Sequence, residues 1–278
     1  MKKLFVWIIV LVLLGEFAAA QGGKKIPLLI SDHHGDHALW LYRQGGYEKK
    51  DMILLDAHGD AERNPQYHVI RESFGWDAGE ADRHIGNHNW IHPLSPAPLD
   101  SLLWISKISQ SPEPQRALGF LRSAASWGMG KAGCINLNEL EFSGQGDSAA
   151  SLFVSIDLDF FYAEDYTPSR VPEVFEKLWE YSRGRTGRVL WAICLSRAWL
   201  PDDDYAWELL EQSLKWLIPR TEFEVPEISL FSSRRYDMSR RAEAFRAEGR
   251  EPPGFYQREA DMPDSVRTLL LEIGNRRK

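Results

Sequence analysis

Met52-Ile53-Leu54-Leu55-Asp56-Ala57-His58-Gly59-Asp60 runs from an unbroken apolar stretch straight into two carboxylates, an imidazole and a glycine. The apolar part has the length of a strand and no polar face, which predicts a strand covered on both sides. Leu152-Phe153-Val154-Ser155-Ile156-Asp157-Leu158-Asp159 repeats the pattern later in the chain, and Ile26-Pro27-Leu28-Leu29-Ile30-Ser31 leads likewise into Asp32-His33-His34. Leu102 to Ser106, Val189 to Leu195 and Glu227 to Phe231 are further strand-like runs. Helical spacing separates them. Asp204 to Ile218 places Trp207, Leu210, Leu214 and Leu217 on one face behind Asp202 and Asp203 as capping carboxylates. Pro172 to Arg183, with Val174, Phe175, Leu178 and Trp179 inward, Gln115 to Trp127 and Asp264 to Ile273 read the same way. Strands alternating with helices predict an α/β fold, a three-layer αβα sandwich around a mostly parallel sheet. The C-terminal ends of parallel strands share one edge, where open α/β folds bind ligands.

The rest of the composition bounds the reading. A chain of 278 residues with 44% hydrophobic residues and 11 tryptophans is a folded globule. With no interdomain linker and no internal repeat, it reads as a single domain over residues 21–278. Its net charge of −7 excludes a general nucleic-acid binder. Residues 1–20 read as a signal peptide: Lys2 and Lys3, an apolar run from Phe5 to Leu14 that is short for a membrane span, then Ala18-Ala19-Ala20. An uncleaved N-terminal anchor is the alternative. The expectation is an exported protein, periplasmic or extracellular, starting at Gln21 and without stable membrane insertion after cleavage. Cys134 and Cys194 are the only cysteines. They either pair in an oxidising compartment or stay as free thiols, and they cannot form a cysteine zinc cage.

All eight histidines lie between residues 33 and 92. Residues i and i+2 on a strand point the same way, so Asp56 with His58, and Asp157 with Asp159, are expected to project together. Asp56, Asp60, Asp157 and Asp159 meeting in one crevice would repel, and a divalent cation removes that penalty. Oxygen and imidazole ligands suit manganese, iron or zinc. The first histidine is open between His33, His34 and His37. His88 and His92 flank Trp90 near the same edge and are the candidates for acid/base work, His92 first, though both also read as loop histidines. Ser196 follows a strand end, and Asp202-Asp203-Asp204 reads as helix capping, with calcium as the weaker alternative. Arg234 and Arg235 open an arginine-rich stretch that reads as a solvated face, with an anionic ligand as the alternative.

Asp56-Ala57-His58-Gly59-Asp60 matches the DAHxD signature of the arginase/deacetylase (ureohydrolase-like) superfamily, and Ser155-Ile156-Asp157-Leu158-Asp159 matches its SxDxD signature in the same order. Asn89-Trp90-Ile91-His92-Pro93, Ile156 to Phe161 and Ile193-Cys194-Leu195-Ser196 resemble an uncharacterised branch of that superfamily, over about residues 26 to 232. The resemblance implies that Asp56 and Asp157 bridge two metal ions, with His33 and Asp60 completing one position and His58 and Asp159 the other. Phe160-Phe161-Tyr162 stand where arginases continue toward an Asp-Pro pair, a departure from the arginase pattern.

The expected function is a hydrolase dependent on one or two divalent ions, Mn2+ or Zn2+. It would cleave a non-peptide C–N bond (amide, acylated amine or guanidine) of a small molecule, with a metal-bound hydroxide as nucleophile. The alternative is a non-catalytic member that binds metal or ligand. A phosphoesterase is disfavoured because no glycine-rich phosphate loop is present.

Overall fold

A computed structural model describes residues 25–45, 48–67, 70, 84–95, 98–110, 112–140, 150–163, 167–230 and 262–275. The expected signal peptide, Arg234 and Arg235 lie outside the described residues. Seven strands form the sheet: β1 (Leu28–Ser31), β2 (Lys50–Leu55), β3 (Leu99–Lys107), β4 (Lys131–Asn136), β5 (Ser151–Asp157), β6 (Val189–Cys194) and β7 (Glu227–Ser229). Their order is β4-β3-β2-β5-β6-β1-β7, and every pairing is parallel. The α-helices among the described residues are α1 (His34–Arg43), α2 (Pro114–Ser126), α3 (Phe160–Ala163), α4 (Val171–Arg183), α5 (Asp203–Leu217) and α6 (Asp264–Gly274). None of them is long and apolar enough to cross a membrane.

Alternation along the strands sorts side chains onto two faces. Ile53, Leu55, Leu152, Val154, Ile156, Trp191 and Ile193 pack with α4, α5 and α6. Met52, Leu54, Phe153, Leu190 and Ala192 pack with α1 and α2 on the other side. The result is the three-layer αβα sandwich, with near-continuous apolar strands because both faces are covered. The α4–α6 face is buried and aromatic: Trp191 stacks on Trp216 with ring centroids 5.8 Å apart, and Phe175, Trp179 and Phe223 surround the pair. The expected helices fall where their periodicity puts them. Asp202 caps α5, its side chain accepting from the Tyr205 backbone N–H at 2.7 Å.

Two features order the site. From β2 the sheet grows outward through β3 to β4, and from β5 it grows the opposite way through β6. The chain direction therefore switches between β2 and β5, and a crevice opens there at the carboxyl ends of the strands. The second feature is α1, which leaves β1 and runs back over β6 and β5. Neither α1 nor β4 is among the elements expected from the sequence. The disulfide is excluded by topology. Cys134 in β4 and Cys194 in β6 are four strands apart, or about 19 Å at ~4.8 Å per strand. A bridge requires Cα atoms within about 7 Å, and both thiols are free.

Candidate metal centre

The strand register assembles the site. Leu55 of β2 pairs with Ile156 of β5, so Asp56 lies beside Asp157 one step on. Asp157 pairs with Cys194 of β6, and Cys194 pairs with Ser31 of β1. Asp56, Asp157, Cys194 and Ser31 thus form one row across the sheet's carboxyl edge. Alternation from Leu54, Phe153 and Ala192 turns this row toward α1. All four are buried.

α1 sets the histidines over the row. His33 is the helix N-cap, and its Nδ1 accepts from the Gly35 N–H at 3.0 Å. His34, the first helical residue, lies over the carboxylates. Its Nδ1 is 2.6 Å from Asp60 Oδ2 and 3.6 Å from Asp56 Oδ2, and its Nε2 is 3.3 Å from Asp157 Oδ2. His37, one turn later, meets Ser155 Oγ at 2.8 Å. Of the three histidines left open by the sequence, His34 joins the carboxylates. His33, given that place by the arginase pattern, is occupied in capping the helix.

The two acidic stretches fold alike. The His58 N–H donates to Asp56 Oδ1 at 2.7 Å, and the Asp159 N–H donates to Asp157 Oδ1 at 3.0 Å. Each first aspartate therefore closes a tight turn that swings the residue two places on back over the strand end. His58 Nδ1 and Asp159 Oδ2 meet at 3.0 Å, and His58 Nδ1 lies 3.8 Å from Asp56 Oδ1. Asp60 reaches back through a left-handed backbone (φ 45°) and accepts from Trp90 Nε1 at 2.8 Å. Ser196 has the same conformation (φ 46°) and donates to Asp157 Oδ2 at 2.7 Å. These are the two non-glycine residues of positive φ among the described residues, and both serve this centre.

Potential ligand atoms fall into three sets, each mutually within 4.8 Å: His34, Asp56 and Asp60; Asp56, His58 and Asp159; and His34, Asp157 and Cys194. The first two share Asp56. All six residues expected from the sequence except His33 are therefore brought together, with His34 in its place.

The electrostatics show the strain of this crowding. Burial, then the charges of Asp60, Asp159 and Asp157, hold the Asp56 carboxyl well above the usual range. Burial and the adjacent Asp159 raise Asp157 to about 7. Burial alone would depress His34, but Asp157 and Asp60 outweigh it and raise the imidazole to about 9. The hydrogen bond to Asp159 raises His58. Asp56 Oδ2 and His34 Nε2 are buried and make no hydrogen bond. Buried polar atoms without hydrogen bonds, aimed into a set of oxygen and imidazole donors, fit a divalent cation.

A cleft of about 390 Å³ opens above the centre. His34, His58, Asp60, Asp157 and Asp159 form its floor, Trp104, Phe120 and Trp199 its apolar wall, and Glu62, His88 and Arg116 its polar rim. His88 is half-exposed, with Nε2 3.9 Å from Glu62. His92 is elsewhere. It is buried between Tyr67 and Trp127, with ring centroids 4.6 and 5.2 Å away, and its Nδ1 accepts from the Asn64 N–H at 2.9 Å. Of the two histidines, His88 lines the cleft and His92 does not. Residue spacing does not place Trp90 or Cys194 in the centre. Cys194 has a legible signal: it ends an apolar strand just as Asp157 does.

No protein-family model and no curated protein matches the chain.

Proposed function

We propose that this protein is a divalent-metal-dependent hydrolase of a non-peptide C–N bond in a small molecule, built on the arginase/deacetylase plan. The observation that carries the reading is the pair of ligand sets sharing Asp56, placed at the switch point of a parallel sheet beneath an open cleft. His34, Asp56 and Asp60 would hold one ion, and Asp56, His58 and Asp159 a second. Manganese or zinc suits these donors. Such an ion, when bound, supplies Lewis acidity that activates water and polarises the carbonyl or guanidinium carbon.

The chain supplies the remainder. Trp104, Phe120 and Trp199 hold the apolar part of the substrate and exclude bulk water. His88 stands at the rim, beside Glu62, where it can hand a proton to the leaving nitrogen. Trp90 fixes one Asp60 oxygen, as orienting partners of metal ligands do, and Ser196 fixes one oxygen of the neighbouring Asp157. Export directed by residues 1–20 belongs to the same proposal, and N-terminal sequencing of the protein from its native compartment should begin at Gln21.

The test is elemental analysis of purified protein, then turnover of amide, acylated-amine and guanidine substrates with the ion it carries. Bound manganese or zinc with hydrolysis is the expected result. Bound metal without turnover of any class would favour a binding protein, and protein that takes up neither ion would remove the proposal.

A further inference from the structure

The third set of ligand atoms shares His34 and Asp157 with the cleft floor and adds Cys194, which is not among the cleft's lining residues and brings the only sulfur of the three sets. Cys194 is fully buried at the end of β6, directly beside Asp157 in the register. Its Sγ, a ring nitrogen of His34 and a carboxylate oxygen of Asp157 lie mutually within 4.8 Å, and the His34 nitrogen that faces Asp157 is Nε2. His34 Nε2 is 3.3 Å from Asp157 Oδ2, yet it makes no hydrogen bond. Two ligands on one tetrahedral zinc stand roughly 3.3–3.8 Å apart at ordinary zinc–nitrogen, zinc–oxygen and zinc–sulfur bond lengths. That separation fits His34 Nε2 and Asp157 Oδ2 as two donors to one ion. Ser196 organises this side: its hydroxyl donates to Asp157 Oδ2 and lies 3.2 Å from Cys194 Sγ.

We propose that Cys194, His34 Nε2 and Asp157 form an inner, sulfur-containing cation position that takes a thiophilic divalent ion such as Zn2+ or Co2+ in preference to Mn2+. This rests on the reading of the whole centre as a metal site. A thiolate ligand favours zinc, whereas carboxylates favour manganese. The choice is coupled to His34, because a neutral imidazole has a single acceptor nitrogen. When Nδ1 serves the set with Asp56 and Asp60, Nε2 carries the proton. When Nε2 serves the set with Asp157 and Cys194, the proton moves to Nδ1, which then donates to Asp60 at the 2.6 Å contact already present. Asp56, His58 and Asp159 do not involve His34, so that position is filled in either case. A hard ion thus selects the outer arrangement and a thiophilic ion the inner one. Loading the inner position releases the thiol proton to solvent.

Cobalt reads this directly. Co2+ added to chelator-treated full-length protein should give visible d–d bands together with a near-ultraviolet sulfur-to-cobalt charge-transfer band. Cys194→Ser should keep visible bands from the position that lacks His34 and lose the charge-transfer band. It should also lower the preference for Zn2+ over Mn2+ by at least the roughly 10–100-fold that loss of an outer-shell partner costs. Should the buried substitution prevent folding, X-ray absorption of zinc-loaded wild type decides instead, with a sulfur scatterer expected at about 2.3 Å. Cobalt bound with d–d bands but no sulfur signal would overturn the assignment of Cys194 and leave the oxygen-and-imidazole centre standing. No cobalt or zinc uptake at all would remove both.

Discussion

His33 and His34 are neighbours with different work, and the difference lies in one backbone turn. His33 is extended and caps α1, while His34 begins the helix and so faces the sheet edge. His34→Ala should abolish binding at the outer oxygen-rich position, read as loss of about one manganese per chain. His33→Ala should keep the manganese and cost only the ~0.5–2 kcal/mol of a lost cap. Equal metal loss in both variants would sink the assignment. His88 and His92 separate in the same manner. His88→Ala should retain metal and lower turnover by roughly 10²–10⁴. His92→Ala should leave the Asn64 N–H unpaired in the interior and lose about 1–3 kcal/mol of stability in urea titration. The sequence shows Asp56, His58, Asp60, Asp157 and Asp159 because they stand directly at the ends of apolar strands, where Asp56 and Asp157 each close a turn that returns the residue two places on over the strand end. It does not resolve three histidines spread over His33 to His37, since their directions depend on where a helix starts. Nor does spacing show that His92 turns inward, which follows from the aromatic rings on either side of it.

At the scale of elements, strands with unbroken apolar runs are legible and those at the sheet margin are not. β4 reads Lys-Ala-Gly-Cys-Ile-Asn and is only partly buried, because it pairs on one side alone. It therefore lacks the hydrophobic run that marks β2 or β5. α1 reads His-Gly-Asp-His-Ala-Leu-Trp-Leu-Tyr-Arg, and its first turn is so rich in metal-ligand residue types that it resembles a loop motif. Helix and motif are the same object here: the first turn of α1 delivers His34, and its next turn anchors His37 on Ser155 of β5. The turn after β2 is held just as closely. A Cβ on Gly59 would come within 2.9 Å of the Phe120 ring in α2. Phe120 is buried, so Gly59→Val should displace α2 or the turn that carries His58. We expect about 1–3 kcal/mol of lost stability, with weaker manganese binding by calorimetry. A variant as stable and as metal-competent as wild type would show that this contact yields freely.

At the scale of the whole molecule, the metal-free fold carries a load that follows pH. Asp157 moves from an ordinary 3.8 to about 7 on folding, and His34 from 6.5 to about 9. Both groups hold their protons more tightly folded than unfolded. Their contribution to stability is thus complete below the unfolded values, and it is lost as pH rises through about 7 for Asp157 and about 9 for His34. Asp56, raised in the same direction by burial and its neighbours' charges, adds to the trend. Metal-free protein should therefore melt at a lower temperature at pH 9 than at pH 6. A cation bound as proposed would reverse the dependence. Manganese in the two sets that share Asp56 would replace the protons that Asp56 and His34 hold, so its affinity would rise as pH rises and those protons become easier to remove. Saturation at about 100 times the dissociation constant adds about 2.7 kcal/mol, and that increment grows with pH at fixed metal concentration. The measurement is the melting temperature with and without manganese between pH 6 and pH 9. The gap should widen steadily toward pH 9, where the metal-free protein is weakest and the loaded one best supplied. Asp56→Asn should narrow the gap toward pH 9 from both sides, raising the metal-free melting temperature by removing a buried carboxyl that high pH ionises beside its acidic neighbours, and lowering the loaded one by removing the shared ligand. A gap that stays constant across this range would mean that the carboxylates and His34 are not where the ion binds.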